Sequence, residues 1–392
     1  MPESTESTSA QFVGLDALAY VHEPPPLSAS LKQQFSDFRV DEELGFAFTE
    51  QGEHVCINIK KTDLSTIEVA KRLSEVTGAR KSSIGYAGMK DKRGECTQWF
   101  SVQLTELEER ALQNFESPSL QILETHRNSR KIRIGSHKSN HFQIRLRDCI
   151  GQQSEFDDRL SRIKREGVPN YFGSQRFGWQ MSNMTQVQAL MISELDKSVP
   201  ADADSTVSKK RFKRGMLYSA ARSYLFNQLL SQRLESRSWN TYLPGDVLNL
   251  NGTDRCFVLP DGAEWDQELQ QRLDQFDIHI TGVLPGLIDM KDKYVSRGES
   301  ADIEEAVCKQ YDTLLEGLKR CGLQASRRAF RFLPSELKWQ WIDAGDENEN
   351  ENENADKNEN SNTGGAQDLI LDFSLPKGAY ATSLLRELCI TT

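Results

Sequence analysis

From about residue 31 onward, apolar and polar positions recur with readable periods. His54 to Lys60 (HVCINIK) sets Val55, Ile57 and Ile59 on one side, which predicts a strand. Ser65 and Glu68 form an S-x-x-E capping box; Ile67, Val69, Ala70, Leu73 and Val76 follow at helical spacing, and Gly78 suits the C-cap. Lys131–Gly135 sets Ile132 and Ile134 against Lys131 and Arg133, and His141–Arg147 sets Phe142, Ile144 and Leu146 against Gln143, Arg145 and Arg147. The link Ser136–Asn140 is short, so the pair predicts a hairpin with one face on a core and the other strongly basic. Tyr218, Ala221, Leu225 and Leu229 trace an amphipathic helix. Leu369, Leu371, Phe373 and Leu375 trace a strand that Pro376-Lys377-Gly378 breaks, and Tyr380–Leu388 then turns helical. Strands and helices segregate unevenly without an internal repeat, which predicts α+β rather than a regular βαβ array.

The ends and one late segment fall outside this pattern. The first 25 or so residues close on Glu23-Pro24-Pro25-Pro26 and read as a flexible lead over 1–30. Residues 346–360 (DENENENENADKNEN) hold seven acidic residues and one lysine and have nothing to bury, so a disordered acidic Asn/Glu loop is expected over 345–365. Those 15 residues carry −6 of the chain's net −10, leaving −4 elsewhere; local distribution, not the total, decides phosphate binding. No run of about 18 apolar residues occurs, and the polar, acidic start Met1–Ala10 predicts no secretory leader. Seven cysteines, odd in number and without C-x-x-C, predict reduced thiols and argue against a disulfide framework or a four-cysteine zinc site. H-E-x-x-H and G-x-S-x-G are both absent, so no metal and no serine-hydrolase chemistry are expected.

Three features can carry chemistry. Gly85 to Gln98 (GYAGMKDKRGECTQ) places Lys90, Asp91, Lys92 and Arg93 after two glycines. A carboxylate among three cations favours its charged form, which suits a nucleophile or base rather than a proton donor. A solvated turn of mixed charge is the plain alternative, and the order does not fit Walker A. Second, Thr125–Arg147 contains Arg127, Arg130, Lys131, Arg133, Lys138, Arg145 and Arg147 and no acid; a second cluster is Lys209, Lys210, Arg211, Lys213 and Arg214. Two basic patches favour an extended polyanion, an RNA backbone, over a small anion; an exposed strand face that happens to be basic is the alternative. Third, Phe142, Tyr171, Phe172, Phe177 and Tyr380 lie near these patches, fit either for stacking on an extruded base or for a core.

The stretch from Gly85 to Gln98 resembles the signature of the TruD family of tRNA pseudouridine synthases. Lys32–Asp41 (KQQFSDFRVD), Ser139–Phe142 (SNHF), Gly167–Gly178 (GVPNYFGSQRFG), Ser219–Asn227 (SAARSYLFN), Thr281-Gly282 with Pro285-Gly286, Arg327-Arg328 and Leu375–Leu388 (LPKGAYATSLLREL) are similar to further family segments, in order, from about residue 31 to 388. The resemblance implies a pseudouridine synthase α+β fold with a mixed, mostly antiparallel sheet. It implies a discontinuous catalytic domain, 31–166 and 333–392, with an inserted α/β TRUD domain at 167–332.

The implied reaction isomerises a tRNA uridine, position 13 in bacterial members. The N1–C1′ bond breaks and C5 bonds to C1′, with no cofactor and no metal. By position, Asp91 matches the catalytic aspartate and Lys32 its basic partner. Phe142 matches an aromatic that stacks on the flipped uracil, and Asn140, Tyr380, Lys90 and Gln98 complete the expected substrate site. The partner implied is tRNA, with no obligate protein partner and a cytoplasmic setting. Gly94-Glu95-Cys96 departs from the usual Ala-Val-Thr, Tyr380 stands where Phe is common, and Phe35–Phe38 lacks the usual proline. A non-catalytic tRNA-binding or RNA-folding module on the same scaffold is the alternative, but it has no need of the Lys32/Asp91 pair.

Overall fold

The computed structural model describes residues 12–196, 207–260, 262–288, 294–344 and 367–392. The chain divides into two compact units, one of 25–166, 334–381 and 388–392, the other of 1–24, 167–333 and 382–387.

The first unit is built on a sheet. Its first part contains β1 (Ser28–Leu31), β2 (Phe38–Leu44), β3 (His54–Thr62), α1 (Thr66–Thr77), β4 (Gly85–Tyr86), β5 (Glu95–Gln103), the single turn α2 (Glu106–Glu109), β6 (Leu120–Asn128), β7 (His137–Ile150) and α3 (Gln153–Glu166). After the other unit come β14 (Ser335–Asp343), β15 (Gln367–Pro376) and β16 (Ile390–Thr391). The order across the sheet is β14-β15-β7-β2-β5-β3-β6, with β1 on β7 and β16, and β4 on β5. The pairs are antiparallel except β2–β5 and β1–β16.

Alternation decides what this sheet buries. Val55, Ile57, Ile59, Phe100 and Val102 bury one face against Val69, Ala70 and Leu73 of α1. That helix starts at the expected capping box of Ser65 and Glu68 and ends on Gly78 at φ +73°. The same side of the neighbouring strands carries Phe38, Phe142, Ile144, Leu371 and Phe373, all buried. On α3, Phe156 meets Trp341 edge-on at 5.4 Å, and Asp157 accepts the indole N–H groups of Trp339 and Trp341.

The predicted hairpin is not formed. Lys131–Gly135 is a loop, Ser136–Asn140 runs largely into β7, and β7 pairs with β1, β2 and β15 rather than with the preceding segment. The alternation of that segment was half misleading: Ile132 is buried and its N–H is bound by Ser101 Oγ at 2.9 Å, while Ile134 is 76% exposed.

The second unit holds β8 (Val168–Pro169), α4 (Ser182–Leu195), α5 (Val207–Glu235), β9 (Val247–Leu250), β10 (Cys256–Val258), α6 (Gln267–Asp274), β11 (Ile278–Leu284), α7 (Gly298–Lys309), α8 (Asp312–Arg320), β12 (Ser326–Ala329) and β13 (Arg331–Phe332). Its sheet runs β10-β9-β11-β12, with β13 and β8 pairing separately. Buried Tyr224, Leu225, Phe226, Leu229 and Leu230 of α5 lie within this unit's core.

Two expected boundaries need correction. The described part of the N-terminal lead is fastened to this unit: Val13 N–H donates to Tyr224 Oη, Ala19 N–H to Ser231 Oγ, and Val21 N–H to Glu387. Arg386 lies 3.5 Å from the Tyr20 ring centre, and Leu18 is buried. Residues 382–387, within the helix α9 (Ala381–Leu388), group with this unit too. Phe12, Leu18 and Tyr20 supply the apolar anchors that the following proline run obscured. Residues 1–11 and the acidic 345–365 loop lie outside the described residues.

His279 on β11 is 5% exposed, bound at Nε2 to Asn251 (3.1 Å), and burial aided by Arg331 pushes its pKa down to about 4. The unfolded chain takes up a proton near pH 6.5, whereas the folded chain does not until about pH 4. Its contribution to stability is therefore complete above pH 6.5 and is lost as pH falls towards 4, by at most about 3 kcal/mol. Urea denaturation at pH 7 and pH 4.5 should show a smaller acid-induced loss in His279→Gln than in the wild type; equal losses would contradict this.

Candidate active site

Asp91 sits on the loop from Ala87 to Gly94, between β4 and β5, where no strand partner holds the backbone. Side chains hold it instead. The Lys90 N–H donates to Thr66 Oγ1 (2.9 Å), that hydroxyl donates to Gln98 Oε1 (2.9 Å), and Gln98 Nε2 donates back to the Gly88 carbonyl (2.7 Å). The Lys90 ammonium pairs with Glu42 at 3.0 Å and donates to Asn140 Oδ1. Beneath the loop, Lys61 has no exposed surface and donates to the carbonyls of Asp91 (2.7 Å) and Leu64 (2.6 Å). Burial pulls the Lys61 ammonium below the ordinary lysine range, against the opposing pull of Cys96 and Asp91. The loop closes on Gly94 at φ +150°, where a Cβ would lie 2.6 Å from the Phe38 carbonyl oxygen, so only glycine fits there.

Lys32 reaches the carboxylate from the residue just after β1. Its Nζ donates to Asp91 Oδ2 at 2.7 Å, with side chains 17% and 30% exposed respectively. Lys32 adopts φ +59°, a left-handed conformation costly for a residue with a Cβ. The turn just beyond it is fixed by a reciprocal cap: Gln34 N–H donates to Asp37 (2.7 Å), and the Gln34 side chain accepts from the Asp37 N–H. Asp37, 1% exposed, is in turn held by Arg147 of β7 at 2.7 to 3.0 Å. The Lys32 ammonium also lies 3.7 Å from the Phe38 ring centre, a cation–π contact. Phe38 meets Phe142 edge-on at 6.0 Å, and Phe142 stacks on Phe373 at 5.4 Å.

The structure thus brings together Lys32, Asp91, Lys90, Asn140 and Gln98, with Phe142 next to them through Phe38. Phe142 is only 8% exposed and has one ring face on Phe373. Tyr380, half-buried, follows the end of β15, whose Leu375 and Pro376 pair with Asn140 and Ser139. Two expected substrate contacts take another role. Gln98 has no exposed surface, and both ends of its amide are engaged; Lys90, with a side chain 7% exposed, points at a carboxylate that is fully buried. Both fasten the loop. Of the cations beside Asp91 in sequence, Lys90 pairs with Glu42 and Lys92 with Glu68 at 3.2 Å, while Arg93 is exposed.

The basic stretch is also smaller in space than in sequence. Arg127 pairs with Glu109, Lys138 with Glu43 at 2.8 Å, Arg145 with Asp368 at 2.8 Å and Arg147 with Asp37. Arg145 is buried and lines a cavity of about 200 Å³ with Gln34, Arg39, Gln143 and Arg147. Lys131 is half-buried and donates to the Ser82 carbonyl, leaving Arg130 and Arg133 exposed. Lys213 and Arg214 on α5 are exposed; the side chains of Lys209, Lys210 and Arg211 lie outside the described residues.

Lys61 and Glu42 were not among the expected site residues. Each occupies a core-facing register, Lys61 after Val55, Ile57 and Ile59, and Glu42 after Phe38 and Val40, and a charge at such a position is the signal.

The family described as tRNA pseudouridine synthase D (TruD) matches residues 14–200 and 186–388. The tRNA pseudouridine synthase D of Nitrosococcus oceani is 37% identical over 383 residues, 97% of this chain and 96% of that protein. That of Methylococcus capsulatus is 36% identical over 375 residues, 96% and 95%. A crystal structure from Methanosarcina mazei, named as a candidate tRNA pseudouridine synthase D, shares the fold with a TM-score of 0.64 at 20% identity, over 94% of this chain and 95% of that one.

Lys61→Met takes the ammonium donor from the carbonyls of Asp91 and Leu64 and should cost about 2–4 kcal/mol. Lys60→Met, one residue earlier at an exposed pair with Glu95 (3.1 Å), should cost less than about 1 kcal/mol. Urea midpoints of the two variants check this; equal losses would contradict the anchoring role of Lys61.

Proposed function

This chain belongs to the tRNA pseudouridine synthase D (TruD) family, and on that premise we propose that it converts a uridine of tRNA, position 13 being the expected target, to pseudouridine with Asp91 as the reacting carboxylate. The observation that carries the reading is the Lys32–Asp91 pair, 2.7 Å apart on a loop tied down on several sides and next to a cluster of aromatic rings.

The reaction is an isomerisation. The N1–C1′ bond breaks, the uracil turns, C5 bonds to C1′, C5 loses a proton and N1 gains one. No electron is exchanged and no atom is gained, so the chemistry calls for neither redox cofactor nor metal. It does call for a group acting on the ribose and a pocket that keeps the detached base in place. Asp91 supplies the first. Lys32 aims it: an ammonium fixed by Asp91 on one side and the Phe38 ring on the other spends little freedom in doing so. A uridine inside a folded tRNA must be extruded to reach such a carboxylate. Phe142 and Tyr380 are the aromatic candidates to flank the extruded uracil. Asn140, already oriented by Lys90, is placed to offer amide contacts to the base or its backbone.

Arg130, Lys131, Arg133, Lys213 and Arg214, together with Lys209, Lys210 and Arg211, are proposed to meet tRNA phosphates, whereas the buried pairing of Arg145 supports a structural role for it. The division into a catalytic domain of 31–166 and 333–392 around an insertion at 167–332 is retained as a proposal, with the N-terminal and 382–387 corrections above. No helix among the described residues is long and apolar enough to cross a membrane. A tRNA substrate supports a cytoplasmic site of action.

The purified protein should form pseudouridine in tRNA that lacks it, without added metal or nucleotide. Asp91→Asn, nearly isosteric, should lower the rate by at least about a thousand-fold while tRNA affinity stays within about threefold. A variant that still modifies tRNA at the wild-type rate would overturn the assignment.

A second outcome concerns binding. The tRNA affinity should fall steeply between 50 and 200 mM salt, and Arg133→Ala should reduce the slope of log K against log salt by about one. An unchanged slope would remove Arg133 from the phosphate contacts.

A further inference from the structure

Trp179 is 84% exposed, the most solvent-open of the large apolar side chains described. A tryptophan left in water forfeits more burial than any other residue, so its position calls for a reason. The backbone around it does not relax to hide the ring. Gly178 lies at φ +75°, and Gln180 and Met181 lie at +47° and +62°. Two successive residues with a Cβ in the left-handed region are strained, and the surroundings must hold them in place.

Those surroundings are well fixed. Phe177, immediately before the turn, is 2% exposed, and Met184, just after it, is fully buried. Asn183 Nδ2 donates to the Arg176 carbonyl at 3.1 Å, tying the two sides together. Arg176 Nη1 donates to Ser219 Oγ of α5 at 3.2 Å, and its guanidinium lies 5.4 Å from the Phe172 ring centre. One turn earlier on α5, Met216 is 53% exposed, and Lys213 and Arg214 are exposed before it. An indole is thus presented from a stiff, anchored turn that follows Arg176 in sequence and is tied through it to the basic first turns of α5.

We propose that Trp179 is a stacking platform for an unpaired base of the RNA, outside the aspartate site. The chemistry favours this occupant over an apolar protein partner because the basic side chains of the adjoining segments, Arg176 three residues earlier and Lys213 on α5, match a phosphate backbone, and every base offers a π-face of indole size. The indole contributes stacking area and no charge; Arg176 and Lys213 supply the attraction that brings the strand to it, with a smaller share from Arg214, which lies 3.7 Å from Glu194. The inference rests on tRNA being the substrate, but not on which residue carries out the chemistry.

The test is tRNA affinity of Trp179→Ala and Trp179→Phe in the full chain at two salt concentrations. The side chain is exposed, so neither variant threatens the fold, and the urea midpoint serves as the check. The proposal predicts a loss of about 5- to 100-fold for Trp179→Ala, at most about threefold for Trp179→Phe, and an unchanged salt slope for both. Wild-type protein should also lose more tryptophan fluorescence on adding single-stranded oligonucleotide than Trp179→Phe does. Unaltered affinity in Trp179→Ala, or a tryptophan-dependent self-association in sedimentation, would overturn it. If instead no variant, wild type included, binds tRNA, the functional reading has failed and not merely the platform.

Discussion

A carboxylate used for chemistry has to be held still, and here the backbone alone does not do it. The segment carrying Asp91 lies between two strands without a ladder of its own, and its position is set by ammonium groups. Lys61 grips the Asp91 carbonyl from below, Lys90 reaches across to Glu42 and Asn140, and Lys32 takes the carboxylate itself. Each of the three comes from a different element. The site therefore exists only when β1, β2, β3, β7 and the loop are all in register, which makes its geometry a consequence of the whole sheet.

Burial gives these contacts their weight. Lys61 and Glu42 lie where water does not compete for their hydrogen bonds, so losing a partner strands a polar group instead of handing it to solvent. The exposed pairs nearby, Lys92 with Glu68 and Lys60 with Glu95, are close in space to the same loop but are screened and contribute little to holding it. Lys32 and Asp91 are intermediate in exposure, tight enough to be oriented and open enough to meet a substrate.

Much of this was legible in the sequence. The alternation of β3, the capping box of α1 and the apolar rows of α5 and β15 appear as the pattern implies, because local periodicity and tertiary burial agree there. Asp91 with Lys32 was reachable through the family resemblance, and the structure sets them side by side. Two readings are narrowed for one reason: neighbours in sequence are not all neighbours in space. Lys90, Lys92 and Arg93 flank Asp91 along the chain, but Lys90 pairs with Glu42 and Lys92 with Glu68. The acid-free run 125–147 loses much of its charge to Glu109, Glu43, Asp37 and Asp368, which arrive from distant segments. The false hairpin at 131–147 had the right alternation but no partner, since β7 finds better-matched strands in β2 and β15. Lys61 and Glu42 were readable as charges on core-facing positions, a signal that periodicity alone passes over.

The central claim is that the target uridine is brought out of the tRNA and seated with its sugar against Asp91. The most direct measurement is a structure of the Asp91→Asn protein bound to tRNA. The account predicts the extruded nucleotide with C1′ within about 4 Å of the side chain at position 91, Lys32 beside it, and the uracil against Phe142 or Tyr380. A complex with that uridine still stacked in the tRNA, or seated away from position 91, would contradict it.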